Sequence, residues 1–220
     1  MDKLKGYFDN REDALRQLIL EIEENKLGNT LVLGISPDGA ILAKGLAQHF
    51  GLPLEFLFLS ALKAPENRDC VIALVSEKMD VFIHKQLIDS FGISTDEIYL
   101  QATKQYEQII QPQTQKLRGG APIQSFEGKH ILIVDEGIET GFSMEIAIKT
   151  CINAHCKSAS IATPVLPMDV ESHLLKQCDC IYRVLSPKYF VSTNYYYKNL
   201  PILDEECFQG NIFSKIESRA

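Results

Sequence analysis

Two acidic residues and a loop of small and hydroxyl-bearing residues follow one apolar segment of the chain. The apolar run 131–134 ends at Asp135 and Glu136. The loop that follows contains two glycines and two hydroxyl side chains: Gly137, Gly141, Thr140 and Ser143. Glycine lets backbone N–H groups approach a ligand, hydroxyls donate hydrogen bonds, and a helix N-terminus carries roughly half a positive charge. This combination predicts a phosphate site.

The two acids must bind a different part of the same ligand, because carboxylates repel phosphate. The vicinal hydroxyls of a ribose are donors that match carboxylate acceptors, so the pattern predicts a ribose 5-phosphate ligand. The alternative is an ordinary strand-to-helix turn, with Gly141 chosen for its backbone geometry and Ser143 as a helix cap. A turn of that kind does not need two consecutive acids, which favours the ligand-binding interpretation.

The surrounding pattern predicts an α/β fold, a parallel twisted sheet flanked by helices. Short apolar runs typical of buried parallel strands lie at 30–35, 54–59, 130–135, 158–164 and 180–184. Helical spacing predicts helices from about Arg11 to near Gly28, and at 40–51, 143–154 and 170–176. Ligands of such sheets bind outside the carboxyl ends of the strands, which is where the loop after Asp135 must lie.

An insertion interrupts this alternation of strands and helices. Two extended runs, 70–75 and 81–83, predict a hairpin at the sheet edge. Residues 84–129 are polar and predict an insertion with a helix over 96–110. The remainder, 112–129, is rich in helix-breaking residues and predicts a mobile functional loop. We therefore expect a single domain over residues 1–220 with this insertion.

Composition excludes several classes of function. The formal net charge is −7 and no stripe of Lys and Arg is present, so a nucleic-acid partner is not expected. The polar start and the lack of a long apolar run predict a soluble, cytoplasmic protein with no membrane partner. The six cysteines are expected to be free thiols; Cys178 and Cys180 alternate, but no further ligand completes a metal site.

Residues 134–143 (VDEGIETGFS) resemble the binding motif of type I phosphoribosyltransferases. Other segments resemble phosphoribosyltransferase-like proteins of unassigned substrate: YFDNREDA, GISPDGAILAKGLAQHFGLPLEF, KAPEN, RGG, ATPV and YYYKNLPILDEE. The resemblance implies that Asp135 and Glu136 hold the ribose hydroxyls. It also implies that the following residues wrap the 5-phosphate: Glu139, Thr140, Gly141, Phe142 and Ser143.

The chain departs from the family at two cationic positions. Where family members carry Pro-Arg-Gly-Gly after the first strand, this chain has 36–39 (SPDG), so Asp38 and Gly39 line the expected pyrophosphate loop. Ser60 and Ala61 stand where Arg-Lys is common. A carboxylate repels pyrophosphate, and losing one preorganised donor can cost about 10²–10³ in rate. The candidate replacements are Lys63, Arg68, Lys116 and Arg118, of which Lys116 and Arg118 lie in the predicted mobile loop.

Glu139 has two interpretations. It is a general base if it turns toward an incoming nucleobase, because a matching acid serves that purpose in the purine-salvage branch that the motif resembles. It is a solvent-facing or helix-capping residue otherwise. The cluster 195–197 (YYY) could stack on a base, although such clusters more often form core or dimer surface.

Two functional hypotheses follow. The first is an enzyme that binds phosphoribosyl pyrophosphate (PRPP) with Mg²⁺ and transfers the phosphoribosyl group to or from a nitrogenous base. The sequence does not set the oligomeric state; a homodimer is one option, since dimers are the commonest soluble assembly. The second is a non-catalytic regulator or interaction domain that binds PRPP or a nucleotide and has lost the pyrophosphate clamp. A dinucleotide enzyme is disfavoured because GxGxxG does not follow the first strand.

Overall fold

Five parallel strands form the central sheet of the computed structural model, which describes residues 4–201. They are β1 (Thr30–Gly34), β2 (Leu54–Phe56), β6 (His130–Val134), β7 (Ser158–Val165) and β8 (Cys180–Leu185). Their spatial order is β2-β1-β6-β7-β8. β1 is buried along its whole length, as expected of a strand covered on both faces. The predicted parallel α/β fold is confirmed.

Helices cover both faces of this sheet. On one face lie α1 (Arg11–Glu21) and α2 (Pro37–Phe50), whose Leu18 and Leu46 pack with Val32. On the other lie α6 (Phe142–Asn153) and α7 (Met168–Leu174), which pack against Leu31 and Leu33. Successive β1 residues therefore serve opposite layers, as strand alternation requires.

Local capping sets the helix ends. Asn10 caps α1 by accepting a hydrogen bond from the Asp13 N–H at 3.0 Å. The helix ends at Glu21, earlier than the predicted end near Gly28. A 3₁₀ helix at Glu24–Lys26 follows instead. The chain turns there because Ile22 and Leu27 both enter the core cluster beneath α1.

A second, antiparallel sheet replaces the predicted edge hairpin. It contains β3 (Leu59–Ala64), β4 (Asn67–Ser76) and β5 (Val81–Ile83) in the order β3-β4-β5. The hairpin of β4 and β5 is present, but it belongs to this separate sheet and not to the edge of the central one. The predicted strand at 54–59 is accordingly divided, because the chain leaves the central sheet after Phe56.

Four helical segments follow the second sheet: α3 (Lys85–Ser90), α4 (Thr95–Gln105), a π-helix (Tyr106–Ile110) and α5 (Gln111–Arg118). The helix predicted over 96–110 is found, but the prediction of a mobile loop is wrong as far as Arg118. Pro112 lies in the first turn of α5, where its missing N–H is tolerated, and Gly119 ends the helix with φ +59°. Residues read as breakers therefore lie at positions compatible with a helix.

The last residues that the structure describes pack against the first ones. Phe8 bridges Tyr197 in parallel, and both are buried together with Tyr196. The predicted tyrosine cluster thus contributes two of its three rings to the core. Within residues 4–201, no helix is long and apolar enough to cross a membrane.

Candidate functional site

Two loops meet at the carboxyl ends of neighbouring strands. β1 and β6 pair in register from Thr30–His130 to Gly34–Val134, so the segments 35–39 and 135–141 start side by side. The Ser36 hydroxyl donates a hydrogen bond to Asp135 Oδ1 at 2.5 Å and accepts one from the Gly39 N–H at 2.8 Å. A Cβ at Gly39 would lie 2.8 Å from Asp135 Cα, so only glycine fits between the two loops.

Asp135 is held in place with one oxygen open. Oδ1 accepts from Ser36 and from the Glu136 N–H at 2.9 Å, whereas Oδ2 accepts no hydrogen bond from any residue in the described part of the chain. Burial raises the pKa of Asp135 to about 6, and the two donors partly oppose this shift. Oδ2 of the half-buried carboxylate can therefore accept a hydrogen bond from a ligand hydroxyl.

Glu136 is buried and ion-paired with Arg11, a residue that sequence reasoning did not select. The Arg11 Nε–H donates to Glu136 Oε1, and Nη2 lies 2.8 Å from Asp38 Oδ1. The Arg11 side chain is only 9% exposed. Burial raises the pKa of Glu136 to about 7, which Arg11 opposes and Asp38 increases. The signal that was available is the segment YFDNREDA, where an arginine follows the helix cap directly.

Arg11 offsets the negative charge of Asp38. This aspartate lies in the first turn of α2, with its half-exposed carboxylate on the Arg11 guanidinium. Together Arg11, Asp38 and Glu136 carry one net negative charge when both acids are ionised. The repulsion expected from Asp38 in a pyrophosphate loop is therefore reduced by a neighbouring cation that comes from another helix.

The predicted phosphate loop leads into α6 without a side-chain cap. Gly141 is the N-cap residue with φ +83°, a conformation that favours glycine, and no side chain among residues 4–201 bonds the first helical N–H groups. Thr140 is exposed and Ser143 half-buried. The Phe142 ring packs on Phe82 of β5 with centroids 5.5 Å apart. This N-terminus provides free donors for an anion.

The C-terminal segment fixes the other side of the loop. The Thr193 N–H donates to Glu139 Oε1 at 2.9 Å, and the Tyr197 hydroxyl donates to the Glu136 carbonyl at 2.9 Å. Gly137 lies against Thr193, where an added Cβ would approach Cγ2 to 2.4 Å. Glu139 thus binds backbone in the structure, and its role as a base stays a prediction.

Arg118 lies at the end of α5 in a buried charge cluster. Its Nη2 pairs with Glu77, Nη1 is 3.8 Å from Glu55, and the guanidinium lies 4.9 Å from the centre of the Phe58 ring. Burial raises the pKa of both glutamates, and Arg118 opposes each shift. It does not belong to a mobile loop. Contact with a substrate would require it to leave both ion pairs, and that contact stays a prediction.

The predicted ligand residues therefore form one group with a single outlier. The structure brings together the two strand-end loops, with residues Asp38, Gly39, Asp135, Glu136, Gly137, Glu139, Thr140, Gly141, Phe142 and Ser143. Arg118 lies on a separate element, in contact with Glu55 of β2. Within residues 4–201, no group of three or more His, Cys, Asp or Glu side chains could hold a metal ion.

This fold and loop place the chain in a defined class. A family model described as phosphoribosyl transferase domain matches residues 5–198, and the chain belongs to that family. Two curated proteins of Mycobacterium tuberculosis, from strains CDC 1551 and H37Rv, are each named "Putative phosphoribosyl transferase" and are 23% identical over 193 residues. The match covers 87% of this chain and 43% of theirs, so the chain spans less than half the length of these relatives.

Two solved structures are similar to this chain to different degrees. The crystal structure of TT1426 from Thermus thermophilus superposes with a TM-score of 0.75 at 20% identity, covering 94% of this chain and 97% of that one. A hypoxanthine phosphoribosyltransferase from Staphylococcus aureus matches with a TM-score of 0.46 at 14% identity, covering 90% and 89% of the two chains. The first likeness establishes the architecture over nearly the whole chain.

Proposed function

We propose that this chain binds PRPP at the loop 135–143 and transfers its phosphoribosyl group to or from a nitrogenous base, with exchange of pyrophosphate. The observation that carries the proposal is the open Oδ2 of Asp135 beside the uncapped N-terminus of α6. One ligand must satisfy an acceptor and a set of anion-binding donors a few residues apart. A ribose with a 5-phosphate has both groups.

Each part of the loop has an assigned task in this proposal. The N–H groups at the start of α6, with the hydroxyls of Thr140 and Ser143, bind the 5-phosphate. Asp135 and Glu136 accept hydrogen bonds from the ribose hydroxyls, and Arg11 orients Glu136 and favours its ionised form. Asp38 and Gly39 line the pyrophosphate side, where Gly39 lets the two loops approach.

Mg²⁺ fits this site as an ion that arrives with PRPP. It usually keeps several waters and binds one or two carboxylates together with substrate phosphates, and Asp135 offers one open carboxylate oxygen. When bound, the ion would neutralise charge on the pyrophosphate leaving group. The residues of this chain would orient the ribose and exclude water.

Glu139 is the proposed proton acceptor for the incoming base. It is exposed, and its carboxylate binds only the Thr193 N–H among the described residues. Release of one hydrogen bond would free it to turn toward a base. The matched test is Glu139→Gln, which keeps the shape and the acceptor for Thr193 but removes the proton-accepting charge. We expect turnover to fall about 10²-fold, with PRPP affinity unchanged.

A non-catalytic regulator that binds PRPP or a nucleotide is the second candidate. It is favoured by one observation: the first turn of α2 carries Asp38, and Ser60 and Ala61 of β3 supply no cation for the leaving group. A cytoplasmic location, a homodimeric assembly, the lack of a nucleic-acid partner and a single domain over residues 1–220 remain predictions from the sequence.

Calorimetric titration with PRPP, with and without Mg²⁺, tests the proposal. The wild type and an Asp169→Asn control, which changes an exposed acid on α7, should bind PRPP with Mg²⁺. Asp135→Asn should bind at least tenfold more weakly. Pyrophosphate release with one of a panel of nucleobases would establish the enzyme. Binding without release across the panel would favour the regulator, and no binding by folded wild type would refute both.

A further inference from the structure

A cleft away from the candidate site lies between the second sheet and α4. It has a volume of about 490 Å³, within the range of about 300–1,000 Å³ usual for small-molecule pockets. One wall is the end of β3 and the turn after it, from Ala61 to Pro65, together with Arg68. The other wall is one face of α4 and the π-helix, with Gln101, Lys104, Gln105 and Gln108.

All ionisable side chains that line this cleft are cationic. They are Lys63, Arg68 and Lys104, each exposed, and none of them makes an ion pair or hydrogen bond through its side chain with another described residue. The whole chain, in contrast, has 29 acidic against 22 basic residues. Three unpaired cations in a concave surface with no carboxylate attract and concentrate anions.

The geometry of strand β3 favours a binding site in this cleft. β3 is an edge strand of its sheet, so one side of its backbone has no strand partner. The register with β4 shifts on both sides of Lys63, and such irregularities redirect side chains and often lie beside binding sites. The glutamines add amide groups that both donate and accept hydrogen bonds, which suits the uncharged part of a polar ligand.

The cleft is separate from the PRPP loops. Leu59 begins β3 beside the small cavity that Ser36 and Pro37 line, whereas the lining of the cleft begins at Ala61 and shares no residue with that cavity. At roughly 3.3 Å per strand residue, Ala61 lies about 7 Å and Lys63 about 13 Å from Leu59. A ligand in the cleft would therefore occupy a second site.

We propose that this cleft binds a small phosphorylated molecule with at least two negative charges, such as a nucleoside polyphosphate. Lys63, Arg68 and Lys104 would hold the phosphates, and Gln101 and Gln108 would contact the remainder.

The test is calorimetric titration with ATP and, separately, inorganic tripolyphosphate, both without divalent metal. Four proteins are compared: wild type, Lys63→Ala/Lys104→Ala, Thr140→Ala/Ser143→Ala, and a Lys157→Ala/Lys176→Ala control with the same charge change. Lys157 and Lys176 are exposed and lie outside the cleft. We expect at least tenfold weaker binding in the cleft variant and a retained site in the other two.

Three results would overturn the proposal. One is no binding of either probe by the folded wild type. Another is equal weakening in the cleft variant and the charge-matched control, which would indicate unspecific attraction. The third is loss of all binding in Thr140→Ala/Ser143→Ala alone, which would assign the anions to the PRPP loop. A change in the affinity for ATP but not tripolyphosphate in Gln101→Ala would place the nucleoside part in the cleft.

Discussion

Arg11 is the cation on which the acidic side of the candidate site depends. It is buried between Glu136 and Asp38. Glu136 lies 125 positions further along the chain. A buried arginine of this kind does more than add a contact, because its removal leaves a buried carboxylate without a counter-charge. Arg11 therefore contributes both to the stability of the fold and to the charge of the candidate site.

Replacing Arg11 by Gln should destabilise the protein by about 3 kcal/mol at pH 8, where Glu136 is ionised. At pH 5.5 the loss should be smaller, because Glu136 can take up a proton. Urea denaturation at both pH values measures the difference. Arg16→Gln, on the same helix with its side chain 70% exposed, is the control and should change stability by less than about 0.5 kcal/mol. Equal losses at both pH values would contradict the role assigned to Glu136.

The raised pKa values predict how stability varies with pH. Asp135 and Glu136 ionise near 6 and 7 in the folded protein but near 3.8 and 4.5 when unfolded. The unfolded state therefore loses these protons first, and stability falls as the pH rises from about 4 to 7. Above about pH 8 both groups are ionised in both states, and their contribution becomes constant.

Denaturation of wild type between pH 4.5 and 7.5 should show this fall, of about 5 kcal/mol from the two groups together. In Glu136→Gln the slope should be shallower by about half. Glu139→Gln alters an exposed acid of the same loop and should keep the wild-type slope. A Glu136→Gln profile parallel to that of wild type would show that Glu136 titrates normally.

At the scale of elements, the loop 135–141 depends on the C-terminal segment. Gly137→Ala should cost about 1–3 kcal/mol by overpacking, because its Cβ would approach Thr193 Cγ2 to 2.4 Å. Thermal unfolding measures the loss, and adding Thr193→Ala should restore part of it. Gly28→Ala, where no atom lies within 4 Å of the new Cβ, is the matched control. A tolerated Gly137→Ala would mean that the loop moves freely against Thr193.

Sequence reasoning succeeded where the signal is local. The strand before Asp135, the glycine at 141 and the helix after it follow from residues within one short segment, and the structure contains all three elements. The contact of Arg11 with Glu136 could not be found in this way, because no local pattern links residues on different elements. The hydrogen bond between Glu139 and Thr193 could not be predicted for the same reason, since the two residues are 54 positions apart.

The helix α5 was missed for a different reason. Pro112 and Gly119 were read as breakers within a loop, although they stand near the start and just after the end of a helix. Local composition does not separate these cases. Tertiary contacts determine whether the segment is helical, because Arg118 at the end of α5 pairs with Glu77, which follows β4 of the second sheet. The adjoining residues 119–121 are irregular.

At the scale of the whole molecule, Arg118 joins the helical insertion to both sheets. Its partners are Glu55 in β2 and Glu77 just after β4. Arg118→Met should leave the two glutamates protonated or solvated and weaken the attachment of α5. Hydrogen exchange should show amides of α5 exchanging at least tenfold faster, with β6 unchanged. Lys116→Met, exposed on the same helix, should leave exchange as in wild type.

The β1–β6 pair of the parallel sheet joins segments that lie far apart along the chain. In the antiparallel sheet, Leu59 pairs with Ser76, whereas in the parallel sheet Leu31 pairs with Ile131, 100 positions away. Bringing distant segments together costs more chain entropy and slows the search for the native state. During refolding, β3, β4 and the helices after them can therefore acquire protection early. The loops that hold Ser36 and Asp135 together would then form last, when β1 finally meets β6.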